Sequence, residues 1–156
     1  MADAVLNRDE VVEQIEIAAP VETVFAAISD PRQITQWWAE EGFSKIESWE
    51  QNFAVGGRLS ARWSGSKGED YRLTGEFLMI DPPHALSYTW ESNWIAPAKS
   101  KVQWRLESTK NGTLVTVTHS GLRGYPAAVK DYSSGWPSAI RHLRDFVLQA
   151  AKHRKK

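Results

Sequence analysis

The sequence predicts an α+β domain: a curved antiparallel sheet of about seven strands around one long C-terminal helix, with two short helices after the first strand. Three observations predict it. Residues 133–151 carry Trp136, Ile140, Leu143, Val147 and Ala150 at steps of four, three, four and three, which is one stripe of a helix. Residues 43–119 alternate apolar and polar side chains in short runs divided by turn signals, at intervals too short for intervening helices. Two short segments of helical spacing precede this meander, so only the last helix is long enough to cover the sheet.

In chain order, residues 11–17 form a β-rich strand with Ile15 and Ile17 on one face. Pro20 opens a helix through Val21, Val24, Phe25 and Ile28, which Asp30-Pro31 breaks. Pro31 suits the first turn of a second helix, where Ile34, Trp37 and Trp38 project on one side, near the mouth of the groove. Strands follow at 43–49 and 58–63, separated by a turn at Val55-Gly56-Gly57 and followed by a hairpin loop at 64–68. The strand at 71–80 ends at Asp81-Pro82-Pro83. Gly75 marks a bend or bulge in it, after which either Phe77 and Met79 or Glu76, Leu78 and Ile80 point inward. Leu86, Tyr88 and Trp90, then Val102, Trp104 and Leu106, give two further alternating strands. Lys110-Asn111-Gly112 turns the chain into a last strand at 113–119. Residues 122–132, with Gly124 and Pro126, read as a linker. Ser133 or Ser134 then caps the final helix, with Pro137 in its first turn.

The 156 residues are expected to form a single domain, with a core at 11–151, a flexible N-terminus and a short basic tail at 152–156. Lysine plus arginine equals aspartate plus glutamate at 19 each, which gives no reason to expect nucleic acid as a partner. No signal-peptide core and no apolar run of about 18 residues is present, so a soluble, cytoplasmic protein without a membrane span is expected. The absence of cysteine excludes disulfides, thiolate metal sites and cysteine nucleophiles.

Tryptophan is the compositional oddity, at positions 37, 38, 49, 63, 90, 94, 104 and 136. So many rigid rings are hard to pack without gaps, and gaps lined by aromatics hold apolar molecules. Trp63, Tyr71, Phe77, Trp90, Trp104 and Trp136 are the candidates for cavity wall or core, with Trp37 and Trp38 near the mouth and Ile140 beside Trp136 on the helix.

Motifs for nucleophilic hydrolysis, phosphate binding and zinc proteolysis are missing. His84, His119, His142 and His153 are scattered, so no metal and no cofactor is expected. His119 ends a strand, where it bonds nearby backbone or serves as a ligand or acid–base group. Glu76 is the carboxylate whose strand facing can turn it into the cavity, where it would need a partner.

Several stretches together resemble the START-like (Bet v 1-like, SRPBCC) superfamily and, within it, the Hsp90 ATPase activator homologue (AHSA1-type) family. They are residues 19–25 with Asp30-Pro31, Trp37-Trp38, Val55-Gly56-Gly57-Arg58, Gly75-Glu76-Phe77 with Asp81-Pro82-Pro83, residues 86–90, Thr118-His119-Ser120-Gly121, and Gly135-Trp136. The resemblance implies a helix-grip fold with a hydrophobic cavity between sheet and long helix. It implies first a binding protein for a small hydrophobic or aromatic molecule, lipids included. A second possibility is an enzyme of the polyketide cyclase/dehydratase type that uses a cavity carboxylate or His119 for proton transfer. A third is a stress-response or chaperone-interaction module. The Hsp90 activator carries an additional N-terminal domain without counterpart in these 156 residues, which disfavours a co-chaperone role.

Overall fold

The computed structural model of the chain describes residues 8–38, 46–65 and 67–154. Strand β1 (Val11–Ile17) leads into α1 (Val21–Ser29) and α2 (Pro31–Trp37). Six strands follow, β2 (Ile46–Gln51), β3 (Arg58–Ser64), β4 (Asp70–Asp81), β5 (Ala85–Ser92), β6 (Ser100–Thr109) and β7 (Gly112–Ser120), and then α3 (Pro126–Arg154). The sheet order is β1-β7-β6-β5-β4-β3-β2, antiparallel throughout. The chain therefore crosses from one sheet edge to the other over two helices and meanders back until β7 lies beside β1. This is the helix-grip arrangement, a curved seven-stranded sheet around a long C-terminal helix. The expected residues 1–7, Phe43, Ser66, Lys155 and Lys156 lie outside the described residues.

Asp30 joins the two short helices. Its N–H donates to the Ala26 carbonyl at 2.9 Å, closing α1, and its Oδ1 accepts the Arg32 N–H at 3.0 Å, capping α2. Pro31 fits the first turn of α2 because its missing donor is one that turn leaves unpaired anyway.

The long helix starts earlier than its punctuation suggests. It begins at Pro126 rather than at residue 133, so Ser133 and Ser134 are not caps and the first-turn proline is Pro126, with Pro137 inside the helix. Tertiary burial decides this. Val129, Tyr132, Trp136, Ile140, Leu143 and Val147 form one continuous buried stripe, which carries the helix through Gly135 and Pro137 despite their propensities.

Strand β4 settles its facing with a displaced bulge. Leu73 and Phe77 are buried against the core, and the pairing with β5 slips by one residue between Phe77 and Met79. Neither expected alternative is complete. Phe77 and Ile80 pack inward, whereas Leu78 and Met79 are exposed and Glu76 falls on the outer face opposite Arg58. Gly75 is where the strands approach most closely, because a Cβ there would lie 2.0 Å from the Thr89 carbonyl oxygen.

The helix is bonded to the sheet through His119. Its ring is fully buried, Trp136 Nε1–H donates to His119 Nδ1 at 3.1 Å, and Nε2 lies 2.7 Å from Ser100 Oγ. An indole N–H can only donate, so Nδ1 is the bare nitrogen and Nε2–H donates to Ser100, which passes its own proton toward the Trp90 carbonyl at 3.4 Å. Burial holds the imidazole neutral, lowering its pKa from 6.5 to about 3.

Two outcomes are expected. Gly75→Ala should destabilise the fold by about 1–3 kcal/mol, because the backbone of β5 must move; a chemical denaturation curve checks it. For His119 the unfolded chain takes up a proton near pH 6.5 and the folded one near pH 3. The His119 contribution is therefore complete above about pH 6.5 and declines as pH falls toward 3, with a limiting slope of about 1.4 kcal/mol per pH unit. Urea midpoints of the protein and of H119Q should converge as the pH is lowered from about 7 to about 4. A constant gap would show that residue 119 contributes no such slope.

Candidate functional site

Between the sheet and the first half of α3 the packed rings leave a cavity of about 360 Å³, open to solvent. Its walls come from the C-cap of α2 (Trp38), β3 (Trp63), β4 (Tyr71), β5 (Trp90), the β5–β6 loop (Trp94) and α3 (residues between Asp131 and Ala139). Aromatic rings meet here mostly on edge. Trp94 lies at 87° to Tyr71 and 83° to Trp90, and Trp38 at 88° to Trp136, with centroids 5.6–6.1 Å apart. These are the ordinary edge-to-face contacts of packed aromatic rings, which fix the rings against one another around the open space.

Behind this wall the polar atoms are matched. Trp90 Nε1–H donates to the Tyr132 hydroxyl at 3.1 Å, and the Tyr132 ring stacks on His119 at 4.0 Å. Trp104 Nε1–H donates to Tyr88 at 3.0 Å, and burial pushes the Tyr88 phenol far above its ordinary pKa. At the mouth stands Asp131, with solvent on its outer side. Burial of its carboxyl among the rim side chains raises its pKa, opposed in part by the Trp94 indole.

Of the residues singled out in the sequence, the structure brings Trp38, Trp63, Tyr71, Trp90 and Trp136 to this cavity. The others stand elsewhere. Trp37 turns into the core and donates its indole N–H to the Ala27 carbonyl at 2.9 Å, because neighbouring helical residues point about a quarter-turn apart. Phe77, Trp104 and Ile140 are buried in the core beyond the cavity. Glu76 is on the opposite face of the sheet, with its backbone N–H on Thr89 Oγ1 at 2.8 Å. His119 lies one layer behind Trp136, with both ring nitrogens occupied.

Trp94, Asp131, Tyr132, Ser134, Gly135 and Ala139 line the cavity without having been singled out. Asp131 and Tyr132 were hidden by the late helix start, which left them in the expected linker. The i, i+3, i+7 series Val129, Tyr132, Trp136 would have exposed this turn as helical. Among the described residues no cluster of three His, Asp or Glu could hold a metal, and no helix is long and apolar enough to cross a membrane.

No curated protein matches the chain. Among solved structures, a protein from Chromobacterium violaceum is 21% identical, covering 89% of this chain and 96% of that one with a TM-score of 0.79. A protein from Mesorhizobium loti is 28% identical, covering 90% and 97% with a TM-score of 0.72. DynU16, a protein of the dynemicin biosynthetic locus, is 22% identical, covering 92% of this chain and 48% of its own with a TM-score of 0.73. The matching family, described as activator of Hsp90 ATPase homolog 1-like protein, covers residues 18–147. With most of its length inside that match and its helix-grip fold shared by these structures, the chain belongs to the AHSA1-like family.

Proposed function

We propose that the protein binds a small hydrophobic or aromatic molecule in the cavity between sheet and long helix. The observation that carries this reading is the wall itself, in which Trp38, Trp63, Trp90, Trp94 and Trp136 surround about 360 Å³ of unfilled space. Core packing ordinarily removes such voids, because each absent contact forfeits dispersion energy. A space of this size lined by apolar rings and a few polar groups has the composition of a ligand pocket. Glu76 and His119, the groups a proton-transfer reaction would have used, do not reach it.

Ala139 is the residue whose enlargement tests the reading, since it lines the cavity whereas Ile140 lies in the core. Titration with the neutral dye N-phenyl-1-naphthylamine should give a saturable change in tryptophan emission. Ala139→Trp should weaken that binding by about tenfold or more, equivalent to about 1.4 kcal/mol, while leaving the circular dichroism spectrum unchanged. A dye that never saturates, or binds the variant equally well, overturns the proposal. Gly135→Ala should raise stability by about 0.5–1 kcal/mol, because a Cβ there meets no atom within 4 Å and helix interiors favour alanine; thermal unfolding checks it.

A further inference from the structure

The polar and charged groups around the cavity are unequal in sign. Among the described residues its lining contains one carboxylate, Asp131, and no lysine, arginine or histidine. Among the described residues no lysine or arginine makes an ion pair with Asp131. Glu69 adds a second negative charge beyond the rim, with Oε2 3.5 Å from the Tyr71 hydroxyl. After burial itself, the charges of Glu69 and Asp131 both act to raise the Tyr71 phenol above its ordinary pKa, so both carboxylates bear on this part of the mouth.

The rings add to this charge wherever they turn a face to the space they enclose. An aromatic face is the negative side of its quadrupole. Trp63, Tyr71 and Trp94 touch one another, with Trp94 turned 63° from Trp63 and 87° from Tyr71. Trp63 and Tyr71 are stacked at 26° with centroids 6.1 Å apart, so each covers one face of the other, and Trp94 crosses both at a steep angle.

The consequence depends on what covers Asp131. A neutral ligand without a hydrogen-bond donor would, on closing the mouth, desolvate a carboxylate and return nothing for it, and one with a donor would leave its charge unbalanced. An anion would meet the carboxylate and the ring faces with the wrong sign. A cation turns both into attraction, and a quaternary ammonium, whose methyl groups suit aromatic walls, needs no hydrogen-bond acceptors at all.

Resting on the reading of this cavity as a ligand site, we propose that its ligand is an organic cation. Its apolar body lies against Trp38, Trp90 and Trp136, and its quaternary ammonium head lies at the mouth among Trp63, Tyr71, Trp94 and Asp131.

A charge-matched pair of probes tests it. Benzyltrimethylammonium and its neutral carbon isostere neopentylbenzene have the same shape and differ in charge. Calorimetry and tryptophan emission should show the cation binding about tenfold tighter than the isostere. Asp131→Asn should reduce the affinity for the cation by about three- to tenfold and leave that for neopentylbenzene unchanged. If the isostere binds as tightly as the cation, or if D131N weakens both equally, the cation proposal fails while the cavity reading stands. If neither probe, nor the naphthylamine dye, binds saturably, both fail.

Discussion

The bond from Trp136 Nε1–H to His119 Nδ1 fixes the helix to the sheet at the point where the cavity begins. It is a buried neutral pair, and it works only while the imidazole stays unprotonated, which its burial ensures. The other ring nitrogen, on Ser100, ties the same histidine to β6. Trp136 is thereby held with one edge toward the sheet while its ring walls the cavity. A histidine that looked like a candidate acid or base is thus the anchor for a ring that touches the open space.

The same device recurs in the core and, at Trp90, in the wall. Trp37 bonds the Ala27 carbonyl, Trp49 bonds Gln51, Trp90 bonds Tyr132 and Trp104 bonds Tyr88. A tryptophan pinned by its N–H cannot swing freely, so the bonds of Trp90 and Trp136 also hold those two rings in place at the edge of the cavity. Among the described residues Trp38 and Trp63 make no such bond, and both reach the cavity. Trp38 and Trp63 are held instead by ring contacts, Trp38 on Trp49 and on Trp63 at centroid distances of 5.1 and 6.2 Å.

The sheet was legible because period-two alternation and turn chemistry are local signals. Leu86, Tyr88 and Trp90 face inward as their spacing demands, and Lys110-Asn111-Gly112 turns β6 into β7. The site was legible only in part because its geometry depends on two non-local events. One is the slip between Phe77 and Met79, which leaves Glu76 outside and Ile80 inside, and which a glycine two residues earlier only hints at. The other is the continuation of α3 back to Pro126, which a reading of Gly135 and Pro137 as a helix start conceals. Trp94 sits in a loop, where no periodicity reports which way a side chain turns.

That misleading punctuation is itself part of the wall. Pro137 has no N–H to donate to the Ser133 carbonyl one turn back, a defect that costs a helix about 3 kcal/mol in an ordinary context. Ser133 also keeps its hydroxyl buried without a partner. Gly135, between them, adds no side chain, and its missing Cβ leaves open space. A helix built for stability alone would carry alanine or leucine at these positions. Here the weakest turn of α3 is the turn that lines the cavity, with Ser134, Gly135 and Ala139 presenting small side chains toward it. The buried stripe on either side, Val129 and Tyr132 before and Ile140 and Leu143 after, holds the helix together across the gap. Helix stability is therefore lowest at the turn that borders the cavity, and the packing energy that offsets it is drawn from the turns on either side.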